Sequence, residues 1–207
     1  MLKKGRNIFS VFLNIFFLVL YDRDMLRKMK AICGDYKKYP PTENRFYIDD
    51  VNEDKCIRLC TQLSPDLILI YGSGILKENT INELGVDIYN IHSSVLPYYR
   101  NVHSDFWAFM NKDFERIGIS IFKLSSGIDT GNIAMQKVCE LSKGAALQEY
   151  KAQNLKNINQ MLPLFLQDYF EGTIRLIAQD GEKATVSHTP QTKDILQFWK
   201  QRKKSHI

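Results

Sequence analysis

Four cysteines in 207 residues, none paired in a metal-binding or redox spacing, remove a first group of functions. Cys33, Cys56, Cys60 and Cys139 are scattered, no Cys-x-x-Cys occurs, and no histidine stands at ligand spacing from a cysteine, so no metal site is expected. Cys56 and Cys60 would lie one helical turn apart, which suits reduced thiols and a cytoplasmic location better than a disulfide. Long apolar runs are missing too. The unbroken apolar part of residues 8–20 is about a dozen residues, short of the roughly 20 that a spanning helix needs, so no stable membrane insertion is expected. Lys3, Lys4 and Arg6 imitate a signal peptide, but no small-residue cleavage site follows Leu20. Repeats, low-complexity segments, a GxGxxG turn and a P-loop are all absent. Charge of one sign is scarce as well. The net +5 is spread over Lys3-Lys4, residues 27–30, Lys37-Lys38 and residues 202–204, which could suit an anionic ligand but is too diffuse for nucleic acid.

What remains is an ordinary globular composition, 44% hydrophobic and 25% charged, long enough for one well-buried domain with a small appendage. Residues 6–30 read as a core-facing helix ending in a charged turn. Pro40-Pro41 marks a linker, in which RFYIDDVN (45–52) holds one short strand. Residues 52–63 have helical spacing, with Asn52 as the cap and Ile57, Leu59 and Leu63 in the apolar set. DLILIY (66–71) is a continuous apolar run, as in a parallel strand covered on both faces. A short helix follows Ile75-Leu76, and another spans 104–111, where Phe106, Trp107, Phe109 and Met110 pack. Residues 115–124 and 133–141 read as strands. Residues 147–170 form a long amphipathic helix that Pro163 should kink or divide, and a last short helix lies near 194–200.

The polar residues that stand out lie between Asn90 and Gly131. VDIYNI (86–91) has the look of a buried strand, and Asn90 and His92 sit two apart, so in an extended chain they share one face while Ile91 points into the core. A loop held by Pro97 follows. Asp129 lies in Gly127-Ile128-Asp129-Thr130-Gly131, where the glycines allow a tight backbone path. Singly, each polar residue has a plain structural reading: a turn-forming Asn, a satisfied His, a loop-forming Asp. Together they bring an amide, an imidazole and a carboxylate to one end of a sheet, a set suited to acyl transfer. No Cys or Ser is paired with a base nearby, which favours direct transfer over a covalent intermediate.

The order Asn90-x-His92, Ser94, Leu96-Pro97, Tyr99-Arg100, Gly118-Ile119-Ser120-Ile121 and Gly127-Ile128-Asp129-Thr130-Gly131 resembles the 10-formyltetrahydrofolate-dependent formyltransferase family, over roughly the middle half of the chain. One departure is Asn101, where the family usually has Gly; Asn tolerates positive φ better than most residues. The resemblance implies an α/β, Rossmann-like formyltransferase fold: a mostly parallel sheet flanked by helices, here with the first βα unit shortened or missing. It implies an N-terminal helix and linker (1–50), a catalytic domain (51–180) and a tail with a short helix (181–207). The apolar N-terminal helix would then cover the strand at 67–71 or a partner subunit, making a homodimer possible.

By the same resemblance, Asn90, His92 and Asp129 are the catalytic residues. Asn90 and His92 would donate to the oxyanion, and Asp129 would support His92 and move the proton. Gly72, Gly74, Ile75, Leu76, Gly127 and Ile128 would hold the formyl donor 10-formyltetrahydrofolate, with no metal, and Ser94, Pro97, Tyr99 and Arg100 the acceptor. The Leu96–Arg100 loop followed by Phe106-Trp107-Ala108 looks more like the sugar-modifying members, so a nucleotide-linked amino sugar is the expected acceptor. A tRNA acceptor is not expected, because the stretch after Gly131 is short for an added RNA-binding domain. Alternatives are a formyltetrahydrofolate hydrolase, a glycinamide ribonucleotide formyltransferase, or a catalytically silent relative acting as a binding protein.

Overall fold

A computed structural model describes residues 8–33, 45–141 and 144–204. It is an α/β molecule built on a four-stranded sheet with helices against it. The sheet contains β1 (Leu67–Tyr71), β2 (Asp87–His92), β4 (Gly118–Lys123) and β5 (Ile133–Val138), in that spatial order. β1 and β2 are parallel and connected through the helix α3 (Glu78–Leu84), while β4 and β5 extend the sheet antiparallel. The last two are joined by the loop that carries Asp129, a connection short enough to require antiparallel pairing. Among the described residues no strand precedes β1, which therefore forms the edge where the shortened first unit was expected.

The long helix α5 (Leu147–Phe170) covers one face of this sheet. Tyr89, Ile91, Ile119 and Ile121 meet Met161 and Phe165 there, and the strand alternation that buries Tyr89 and Ile91 turns Asn90 and His92 the other way. The helix is not divided at Pro163: burial of the flanking Met161 and Phe165 outweighs the backbone hydrogen bond that proline removes.

Three other expectations need correction. No strand forms among residues 45–52; Asp50 instead accepts the Asn52 amide N–H at 2.9 Å in a local turn. Asn52 does not cap α2 (Asp54–Leu63), whose cap position is Glu53. Its side chain reaches across to accept the Lys77 N–H at 2.7 Å and the Thr80 hydroxyl at 3.0 Å, tying the turn to the start of α3. And α1 (Ile8–Cys33) does not cover β1, all of whose residues are half-buried or exposed. Tyr21 and Met25 of α1 pack with Phe106 of α4 (Ser104–Met110), Leu147 of α5, and Ile195 and Phe198 of α6 (Thr192–Lys204). Tyr21 is edge-on to both phenylalanines at 5.5 and 5.6 Å. These aromatic rings offer α1 a deeper apolar seat than the β1 edge does. Phe12, Ile15, Phe16 and Val19 are left on its exposed side. Among the described residues no helix is long and apolar enough to cross a membrane, all four cysteines are free, and the Pro40-Pro41 break lies outside what is described.

A second, two-stranded sheet pairs β3 (Tyr99–Arg100) in parallel with β6 (Thr185–Val186), fastening a C-terminal segment beside the loop that follows β2.

Candidate active site

A cavity of about 460 Å³ opens at the C-terminal ends of β1 and β2, a usual ligand position in α/β sheets. Asn90, His92 and Asp129 all line it, as do Gly72, Gly74, Ile75, Leu76, Gly127 and Ile128. The sheet places the first two. Asn90 pairs with Ile70 on one side and Phe122 on the other, and His92 pairs with Ser120. Asn90's amide makes no hydrogen bond among the described residues, so its NH2 is available to the cavity.

His92 is buried and its Nε2 lies 2.8 Å from the Tyr99 carbonyl. A carbonyl only accepts, so Nε2 carries the proton in that bond. Nδ1 then faces Asp129 Oδ2 at 3.5 Å, longer than a charge-assisted hydrogen bond, so the carboxylate is beside the ring without being locked to it. The firmer partner of that carboxylate is the Asn101 backbone N–H, at 2.6 Å. Asn101 has φ 71° and Asp129 has φ 49°, left-handed conformations at two facing loop positions. Asn101 therefore fills the family's glycine position in a conformation that asparagine tolerates. Gly131 is obligatory for a different reason: a Cβ there would overlap the Lys123 carbonyl.

Ser94, Pro97, Tyr99 and Arg100 do not line the cavity. They are buried behind it. The Ser94 hydroxyl donates to the same Tyr99 carbonyl at 2.6 Å, and Arg100 Nη2 donates to Gln179 at 2.8 Å. Their chain neighbours explain this: the turn at Leu96-Pro97 packs into the apolar cluster with Phe122 and Ile133, drawing the loop inward.

The opposite wall was not anticipated from sequence. It carries His103, Ser104, Asp105 and Lys151, with a part-buried Asp105–Lys151 ion pair. Burial, and then the Lys151 charge, pull the His103 imidazole below its ordinary value, against Asp105 and Asp22. Burial pushes the nearby Asp22 carboxyl up, opposed by His103 and Lys151. A positive φ of 54° at His103 aims this wall. The only sequence signal for it was an unusual density of polar residues just ahead of an aromatic helix.

The glycine loop is uncrowded. A Cβ at Gly72 would meet nothing within 4 Å and one at Gly74 only Val51 at 3.9 Å, so the backbone there is open to close approach, with Ile75 exposed beside it.

Residues 30–166 match the family model described as formyl transferase. The chain is 28% identical over 149 residues to a methionyl-tRNA formyltransferase of Thermotoga maritima, covering 72% of this chain and 47% of the relative. It is 33% identical over 143 residues to that of Kosmotoga olearia, covering 69% and 46%. The chain thus spans about half the length of the curated relatives it matches. Among solved structures it resembles the formyltransferase PseJ from Anoxybacillus kamchatkensis, in complex with UDP-4,6-dideoxy-4-formamido-L-AltNAc and tetrahydrofolate (TM-score 0.53, 20% identity, 81% of this chain and 79% of that one). It also resembles the N-formyltransferase from Helicobacter canadensis, in complex with folinic acid and dTDP-3-aminofucose (TM-score 0.54, 16% identity, 84% and 74%).

Proposed function

This chain belongs to the formyl transferase family, and from that premise we propose that it moves a formyl group from 10-formyltetrahydrofolate to a primary amine of a nucleotide-linked amino sugar. The observation that carries the proposal is the meeting of Asn90, His92 and Asp129 in one cavity whose far side is the open glycine loop. The folate supplies an activated formyl group. Asn90 offers a free NH2 donor as charge builds on the formyl oxygen. His92, fixed through Nε2 by the Tyr99 carbonyl, keeps its other ring nitrogen beside Asp129. The proton released by the attacking amine is taken up between that ring and the carboxylate and passes to the folate N10 as the formyl C–N10 bond breaks, releasing tetrahydrofolate. Gly72, Gly74, Ile75, Leu76, Gly127 and Ile128 hold the donor, while Ser94, Pro97, Tyr99 and Arg100 shape the acceptor side from behind.

A sugar acceptor is favoured because the likeness to enzymes solved with nucleotide sugars runs over more than four-fifths of this chain. The second reading, methionyl-tRNA, draws on the higher identity to relatives of that name. Both are tested by incubating the protein with 10-formyltetrahydrofolate and, separately, UDP- and dTDP-linked amino sugars, glycinamide ribonucleotide, methionyl-tRNA, or water alone. Tetrahydrofolate release with an amino sugar is the expected result. Equal release without any amine assigns a hydrolase, and failure to bind 5-formyltetrahydrofolate makes the chain a silent relative.

A further inference from the structure

Gln179 lies outside the cavity and beyond the residues that the family model matches. We propose that it is a positioning residue, which sets where Asp129 stands relative to His92 and so governs turnover. The inference rests on the formyl-transfer reading of the site. Its side-chain amide is held on three sides. Nε2 donates to the Asp129 carbonyl at 2.9 Å and to the Gly131 carbonyl at 2.6 Å, and Oε1 accepts from Arg100 Nη2 at 2.8 Å. The amide orientation is unambiguous, because two carbonyls can only accept and a guanidinium can only donate. One side chain therefore clamps the backbone on both sides of Thr130 and ties it to the strand that follows the His92 loop.

The rest of the segment works in the same direction. Ile177 exchanges two 2.8 Å backbone hydrogen bonds with Ile133, just after the Asp129 loop. Thr185 and Ser187 donate to the Tyr98 and Arg100 carbonyls at 2.7 and 2.8 Å, flanking Tyr99, whose own carbonyl holds His92. Asn101, whose N–H grips Asp129, also donates from Nδ2 to the Ser187 carbonyl at 2.9 Å. Residues 177–188 thus fasten the two loops that carry the partners of the 3.5 Å His92–Asp129 contact. Neither loop fixes that separation alone, since Asp129 sits at φ 49° and, among the described residues, its other hydrogen bond comes from Asn101.

The test compares Gln179→Ala and Gln179→Glu with wild type, each alone and combined with Asp129→Asn, using the best acceptor of the panel above. Gln179→Glu keeps the size and the Arg100 contact but turns a carboxylate toward two carbonyls, so it remains informative if Gln179→Ala fails to fold. The expected result is a kcat loss of roughly 10- to 100-fold with acceptor KM changed less than about threefold, the scale for a misplaced catalytic group. In the Asp129→Asn background the further loss should be under about threefold, because both substitutions act on one carboxylate. Full kcat in Gln179→Glu, or losses that simply multiply, overturns the proposal. Hydrogen exchange supplies a readout independent of turnover: the Asn101 amide should exchange roughly tenfold faster in Gln179→Glu. If wild type formylates no acceptor, the functional reading falls while this arm still decides the positioning role. Unchanged Asn101 exchange overturns it.

Discussion

Asn90 and His92 are held by a sheet, whereas Asp129 is held by single hydrogen bonds from distant parts of the chain. The first two stand on β2, with neighbouring strands on both sides and the Tyr89–Ile91 face driven into α5. Their separation follows from strand pleating. Asp129 sits on a loop with positive φ, and among the described residues its own hydrogen bonds come from elsewhere: the Asn101 N–H to its carboxylate and Gln179 to its carbonyl. The two arrangements should break differently. Removing a strand-borne group removes a function and leaves the frame, but disturbing the loop's partners moves a function that is chemically still present.

The largest effect is expected from Asp129→Asn. The amide keeps the size, loses the charge beside His92 and cannot accept as strongly from Asn101, so turnover should fall by roughly 10² to 10³-fold. A pH–rate profile checks it, since loss of the carboxylate should change the profile's shape as well as its height. An unaltered rate and profile would reduce Asp129 to a loop former. Next come Asn90→Ala and His92→Ala, each expected to cost roughly 10²-fold in kcat, the first by removing an oxyanion donor and the second by removing the ring that shares the amine's proton with Asp129. Both should bind 5-formyltetrahydrofolate as wild type does and melt within a few degrees of it. Near-normal turnover in either would remove that residue from the mechanism.

Substitution of Asn101 separates frame from function. Asn101→Val forces a β-branched residue into a left-handed position, at a cost of about 1–2 kcal/mol, and should lower kcat roughly tenfold through Asp129 alone. Thermal melting together with kinetics reads both. The smallest effect belongs to Asn101→Gly. It keeps the N–H to Asp129 and relieves φ, losing only the Nδ2 bond to Ser187, so stability should change by less than about 1 kcal/mol and activity by under about threefold. A large activity loss here would mean that the Asn101 side chain, and not its backbone, positions the carboxylate.

The strand-borne half of the site was legible in the sequence because its cause is local. Period-two alternation alone puts Asn90 and His92 on one face, and the long α5 and the Gly-flanked Asp129 loop announce themselves over a few residues. What failed to show was set by distance along the chain. Asn52 looked like a cap since nothing near it reveals Lys77 and Thr80 as partners. RFYIDDVN has strand-like residues but pairs with no strand among the described residues. The apolar face of α1 could be recognised, yet whether it would meet β1 or the aromatic rings of α4 and α6 depends on a surface assembled from three other segments. Gln179 drew no notice in the sequence because its partners lie 48 to 79 positions away. Tyr99 and Arg100 looked like substrate contacts since sequence cannot tell a cavity wall from the layer behind it.

The late position of residues 177–188 also orders events in time. The bonds from this segment to Arg100, Asn101 and Trp107 close loops of 79 to 86 residues. Such contacts form only after the intervening chain has been ordered by shorter-range pairings, because loop-closure entropy opposes them until then. On the ribosome, β1, β2, β4, β5 and α5 all emerge before this segment does. A nascent chain can therefore fold its sheet and set Asn90 and His92 on one face before the bonds from residues 177–188 to the Asp129 loop have formed.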